Sequence, residues 1–160
     1  MTPGGEQPAR FFCDAMHGGL ARWLRAAGYD AAFAYGIDDA ELIERARDTG
    51  RIILSSDGPL FDRNVIRDGT VAALYVPQQL GKLQALQFVL RTLKLPVRWP
   101  RCMACGGALR EVPKHTVADE APPRTYRNCD RFWRCRRCGK LLWRGTHWER
   151  ITRRLAQVAP

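Results

Sequence analysis

The chain reads as an α/β protein: a mainly parallel sheet flanked by helices, followed by a small metal-binding module. Three observations predict this. Apolar strand-like runs alternate with amphipathic helical runs through the first hundred residues. That alternation breaks at Pro96 and Pro100. Beyond the break lie two C-x-x-C steps, Cys102/Cys105 and Cys135/Cys138, each followed by glycine. Strands alternating with helices imply parallel pairing with both sheet faces covered.

Each element has its own signal. "RFFCD" is a short apolar run ending in an acid. "GGLARWLRAAG" places Leu20, Trp23, Leu24 and Ala27 at helical spacing, with Gly28 as a stop. "YDAAFAY" is a weaker second strand. "DDAELIERARDTG" has Asp38 or Asp39 as N-cap, acids in its first turn and Gly50 at its end. "RIILSS" is the clearest strand. Asp57 then opens "DGPLFDRNVIRDG", where Pro59 suits a first helical turn. "VAALYV" is a fourth strand, and "QQLGKLQALQFVLRTLKL" a long helix with Leu80, Leu83, Leu86, Leu90 and Leu93 along one side. The expected division is a lead-in over 1–10, the α/β domain over 11–97, a cysteine module over 98–151 and a tail over 152–160. The segment "KHTVADEAPPRTYRN" reads as a loop between the cysteine pairs.

Charge separates the two halves. Residues 1–97 carry eleven basic and eleven acidic side chains; residues 98–160 carry fifteen and five, which accounts for the net charge of +10. A basic, arginine-rich module with interleaved aromatics predicts a polyanion partner, most simply nucleic acid. A solvated basic surface is the plainer reading. No segment approaches the roughly 20 apolar residues of a membrane span. The first ten residues have no apolar signal core, so a cytoplasmic protein is expected.

Asp14, Asp38, Asp39 and Asp57 fall at or just beyond the ends of the first three strands, with Glu41 one step further on. In an open parallel sheet all strand C-termini share one edge, where ligands bind. Carboxylates gathered there repel unless a cation neutralises them, and hard oxygen donors suit Mg²⁺ or Mn²⁺. Each acid alone also reads as a helix cap or a solvated charge. Arg22 and Arg25 lie at i, i+3 on the first helix, where they can steady backbone phosphates or face solvent.

The cysteine pairs supply a four-thiolate set of the kind Zn²⁺ prefers. With four protein ligands the site is closed, so its ion is structural. An iron centre uses the same ligands, but iron carriers are usually acidic and this module is basic. Cys13 reads as a small buried strand residue. His115 and His147 are possible substitute ligands. Trp133, Trp143 and Trp148 can stack on bases, with Arg134, Arg136, Arg137 and Arg144 on phosphates. At least two of these tryptophans are expected instead to form the module's small core.

Taken together, "CDAMHGGLARWLRAAGYDA", "DDAELIERARDTGRIILSSD", the two C-x-x-C steps and "WRGTHWERI" resemble the PIN-like RNases. More narrowly they resemble the family named for the C-terminal RNase domain of the Mut-seven exonuclease. The likeness runs from about Phe11 to Ile151. It implies a PIN-like nuclease domain joined to a C-terminal zinc ribbon and cleavage of single-stranded RNA. It also implies Mg²⁺ or Mn²⁺ held by Asp14, Asp39 and Asp57, with Asp38 and Glu41 as neighbours. Many PIN domains carry a fourth acid near the third. Here Gly58 and Pro59 follow, and Asp62 reads as an exposed helix position. A nucleic-acid-binding protein with a degenerate nuclease domain is the alternative.

Overall fold

The computed structural model describes residues 7–160. Four short strands, β1 (Arg10–Cys13), β2 (Asp30–Phe33), β3 (Ile52–Ser55) and β4 (Ala73–Tyr75), form a sheet of order β2-β1-β3-β4. All its pairings are parallel, with Phe12 level with Ala32 on one side and Ile53 on the other. Residues 1–6 of the expected lead-in lie outside the described residues, and β1 already begins at Arg10.

Alternation along the strands sorts side chains between two cores. Phe11, Cys13, Ala31 and Leu54 pack with helices α1 (Gly18–Ala26) and α5 (Lys82–Thr92). Phe12 and Ile53 face the other way, onto Leu42, Ile43 and Ala46 of α2 (Asp39–Thr49) and Leu60 of α3 (Gly58–Phe61). The central strands are therefore covered on both faces, as their unbroken apolar character predicts. The stretch after Asp57 is two short helices, α3 and α4 (Asn64–Arg67), because Arg63 between them is extended.

Chain order fixes where a ligand site can form. After β1 the chain moves to β2 on one side, then crosses back to β3 on the other. The C-terminal ends of β1 and β3 thus flank a topological switch point, where connections leave in opposite directions and open a crevice.

Residues 96–101 are fastened along the end of α1. Tyr29 Oη donates to Pro96 O at 2.6 Å, Arg98 N to Ala27 O at 2.9 Å and Arg101 N to Arg25 O at 2.9 Å. Gly28 (φ +95°) permits this approach: a Cβ there would lie 2.5 Å from Arg98 Cβ. The second module is an antiparallel sheet of β5 (Leu109–Val112), β6 (Phe132–Cys135) and β7 (Leu141–Trp143), in that order. Between β5 and β6, the expected loop contains a 3₁₀ turn (Lys114–Val117) and helix α6 (Pro123–Asn128). Its Val117 and Ala121 are buried against Phe132, which supplies the ordering force that spacing alone did not reveal.

The chain then returns to the first module. Helix α7 (Thr146–Val158) lies on α5 and buries Leu155 and Val158 in the core under the parallel sheet. The stretch 152–160, expected as a tail, is therefore mostly a packed helix. Among the described residues no helix is long and apolar enough to cross a membrane.

Candidate functional site

Asp14 follows β1 directly and is 8% exposed. A buried carboxylate needs partners, and two are present. Ser55 Oγ donates to Asp14 Oδ2, and Met16 N donates to Oδ1 at 3.0 Å. Ser55 Oγ also accepts from Asp57 N at 3.0 Å. One hydroxyl therefore ties the end of β1 to the turn after β3. Asp57 stands at the start of α3 without using its side chain as a cap. Asp39 is half-buried at the first position of α2.

The neighbouring acids are otherwise engaged. Asp38 caps α2 by accepting from Glu41 N at 2.9 Å, and Glu41 pairs with Arg45 one turn along. Asp62 is exposed. Asp14, Asp39 and Asp57 share the sheet edge, but they are not gathered as tightly as the cysteines. Among the described residues, only Cys102, Cys105, Cys135 and Cys138 form a set of three or more metal-type donors all within 4.8 Å of one another.

Sequence reasoning passed over His17, Ser55 and Ser56. His17 Nε2 lies 2.7 Å from Ser56 Oγ, and Ser56 Oγ donates to Val76 O at 2.6 Å. With the hydroxyl proton directed at Val76, Nε2 is the donor to Ser56, which leaves Nδ1 of a neutral ring as an acceptor. The available signal was positional: the serines end the strand beside β1, and the histidine precedes the first helix.

In the cysteine cluster, Cys102 and Cys138 sulfurs are 3.7 Å apart and those of Cys105 and Cys135 3.4 Å. A tetrahedral ion with Zn–S bonds of about 2.3 Å holds its sulfurs about 3.8 Å apart. The donor set thus fits a metal such as zinc. Gly106 (φ +82°) and Gly139 (φ +75°) turn each knuckle through the left-handed region that glycine tolerates. Amides of Gly107 and Arg137 point at Cys105 and Cys135 sulfurs at 3.3 and 3.4 Å. Burial pushes the Cys105 thiol up to about 12. Burial also opposes ionisation of Cys135, yet the amides of Cys138 and Arg137 and the adjacent thiols bring it down to about 6. Cys13 lies in the sheet core, where burial pushes its thiol far up, as suits a packing residue.

Several arginines have roles other than the expected phosphate contacts. Arg25 is buried and donates to Ala31 O at 2.8 Å, Met103 O at 2.9 Å and Ala104 O at 3.2 Å, clasping the first knuckle to the sheet. Arg137 reaches Asp30 at 3.3 Å and Cys105 O at 2.8 Å. Arg134 pairs with Glu120 at 2.7 Å. Their donors are taken by the protein itself. Arg22, Arg136 and Arg144 remain exposed. Trp143 packs with Phe132 in the module's core, while Trp133, 3% exposed, is covered by Trp99 and Trp148. His147 and His115 are exposed and lie outside the cysteine set.

A parallel sheet with a buried carboxylate at its switch point, clasped to a four-cysteine knuckle, defines an α/β domain carrying a module able to hold a metal. The comparisons give that class its family. The family model described as Mut7-C RNAse domain matches residues 9–155, and the chain belongs to this family. The Homo sapiens protein named Exonuclease mut-7 homolog is 32% identical over 152 residues, which cover 89% of this chain and 15% of that protein. The chain thus spans about one seventh of that relative's length. No solved structure matches.

Proposed function

We propose that the chain is a metal-dependent ribonuclease that hydrolyses phosphodiester bonds of single-stranded RNA, with a structural zinc ribbon that helps bind the strand. The observation that carries this is Asp14, a buried carboxylate held by Ser55 at the switch point of a chain in an RNase-domain family. Asp14, Asp39 and Asp57 are all-oxygen donors and would hold Mg²⁺ or Mn²⁺. Such an ion, when bound, lowers the pKa of an attacking water and offsets charge on the phosphate. Ser55 orients Asp14 and, through Asp57 N, keeps the two strand ends in register. His17, fixed by Ser56, presents Nδ1 as a proton acceptor at the same edge. Cys102, Cys105, Cys135 and Cys138 would hold Zn²⁺ with no open position, so that ion stabilises the module and takes no part in hydrolysis.

One observation favours a second reading, a nucleic-acid-binding protein without catalysis: the three carboxylates do not draw together as the cysteines do. A single assay separates the readings. Unstructured RNA is incubated with the zinc-loaded protein, with and without Mn²⁺ or Mg²⁺, beside Asp14→Asn. Ion-dependent cleavage lost in the variant supports the ribonuclease. Full metal-independent cleavage by the variant rejects the mechanism at Asp14, and no cleavage by either protein rejects the ribonuclease.

A further inference from the structure

We propose that the groove between the zinc module and the sheet domain is the track for single-stranded RNA, with Trp99 as the platform on which a base stacks. The proposal rests on the ribonuclease reading and deepens it by assigning the strand's path.

The groove has a volume of about 1800 Å³ and runs between the two modules. Small-molecule sites usually span about 300–1,000 Å³, so this one is of macromolecular size. At one end stands an aromatic group that the sequence did not advertise. Trp133 and Trp148 stack at 5.3 Å and 26°, and Trp99 lies 5.8 Å from each. The Arg144 guanidinium sits 5.4, 5.6 and 5.7 Å from the centroids of Trp99, Trp133 and Trp148. Two of these indoles are largely covered, but Trp99 is 50% exposed. Its backbone is fixed by the bonds from Arg98 to Ala27 and from Arg101 to Arg25. A large apolar ring held open to solvent on a rigid strap is preorganised for stacking, and base–aromatic stacking tolerates any sequence.

Charge selects the occupant. Of eight basic side chains in the lining, Arg25 and Arg101 donate to backbone carbonyls, which leaves Arg22, Arg98, Arg124, Lys140, Arg144 and Arg153 against one acid, Glu149. Among the described residues none of those six is in an ion pair, whereas Arg131, Arg134 and Arg137, outside the groove, each pair with a carboxylate. Other cations without an ion pair are spread over the surface, but along this channel six face a single acid. A polyanion with flat faces matches both the charge and the rings, and a single strand offers its bases where a duplex hides them. The groove also leads to the chemistry. It is lined by Gly18, next to His17, and by Phe33, the last residue of β2 at the edge where Asp14 lies. A strand stacked on Trp99 thus passes along unpaired arginines toward the carboxylates.

The test measures binding apart from cleavage. A fluorescent unstructured 12-nucleotide RNA is titrated into the zinc-loaded Asp14→Asn protein without added Mg²⁺ or Mn²⁺, followed by anisotropy. Trp99→Ala in that background is expected to raise Kd about tenfold, the loss of one stacked base, and Trp99→Phe to recover most of it. The double variant Arg98→Ala/Lys140→Ala is expected to lower the slope of log K against log salt by about 1.4, at about 0.7 per phosphate. A matching RNA duplex is expected to bind more weakly than the single strand. In the protein without groove substitutions, saturating RNA is expected to quench tryptophan fluorescence, a readout that needs no groove variant to fold. Unchanged affinity in Trp99→Ala, or absence of quenching, overturns the proposal and leaves the aromatic face to a protein partner. Metal-independent cleavage that survives Asp14→Asn would instead reject the Asp14-centred, metal-dependent mechanism while the groove result stands.

Discussion

The four-cysteine cluster and the carboxylate edge gather metal-type donors in different ways. Each C-x-x-C step is a local turn that fixes two sulfurs within four residues, and a three-stranded sheet needs only to bring two such turns together. The result is complete: four sulfurs within 4.8 Å. The carboxylates come from three separate loops, and only topology relates them. Like charges oppose their final approach. What the fold itself supplies is one buried anchor, Asp14, and a serine that ties it to the next loop. The thiols are already gathered in the fold; the carboxylates are not.

That contrast can be broken most severely at the sulfurs. If the four cysteines hold zinc, Cys102→Ser or treatment with a chelator is expected to unfold residues 98–145, since structural zinc supplies roughly 10–16 kcal/mol in small domains. Limited proteolysis and loss of near-ultraviolet circular dichroism from Trp133 would report it. At the edge the same kind of change acts on chemistry. Asp14→Asn is expected to lower cleavage about a hundredfold or more with a smaller loss of stability than at the sulfurs, because the amide oxygen can still accept from Ser55 while its nitrogen then faces the Met16 N–H.

Asp30 tests the seam between the two regions. Burial alone would raise its carboxyl, but hydrogen bonds and charge from Arg51 and Arg137 hold it below its usual value. A carboxyl depressed in the folded state adds stability that is fully present above its unfolded value of about 3.9 and is lost as pH falls through the lower folded value. Asp30→Asn is expected to cost about 3 kcal/mol at neutral pH by leaving Arg51 buried and unpaired. It should also remove that component of acid sensitivity, as urea titrations at pH 7 and pH 3 would show. Leu155→Ala follows at about 2–3 kcal/mol, through the cavity it opens under α7. Arg134→Ala closes the series with the smallest shift in melting midpoint, because its pair with Glu120 faces solvent.

Much of this architecture was written in local patterns. The strand and helix order of the parallel domain follows from periodicity and caps, with Gly50 at the left-handed end of α2 and Asp38 at its start. The cysteine knuckles follow from spacing. Other features depended on contacts between distant residues. Arg22 and Arg25 look alike at i, i+3, yet α1 presents one to solvent and turns the other under the knuckle. "TRRLAQVAP" reads as a tail because only Leu155 and Val158 among its residues are buried, and their partner helix lies more than sixty residues earlier. Trp99 gave no signal because its meaning comes from Trp133 and Trp148, brought beside it by folding. His17 and Ser56 are likewise joined only by the pairing of β1 with β3.

The return of α7 to the parallel domain alters how the two modules should be regarded. The cysteine module is an insert, entered through the strap beside Gly28 and left through Gly145, with its host on both sides in the chain. A fragment ending at residue 97 would lack a helix from its own core and leave Arg25 and Asp30 facing water in place of their clasp. An insert anchored at both ends cannot swing freely like a bead on a string. The jaws of the groove are therefore set at a fixed gauge, and a strand that enters must conform to it.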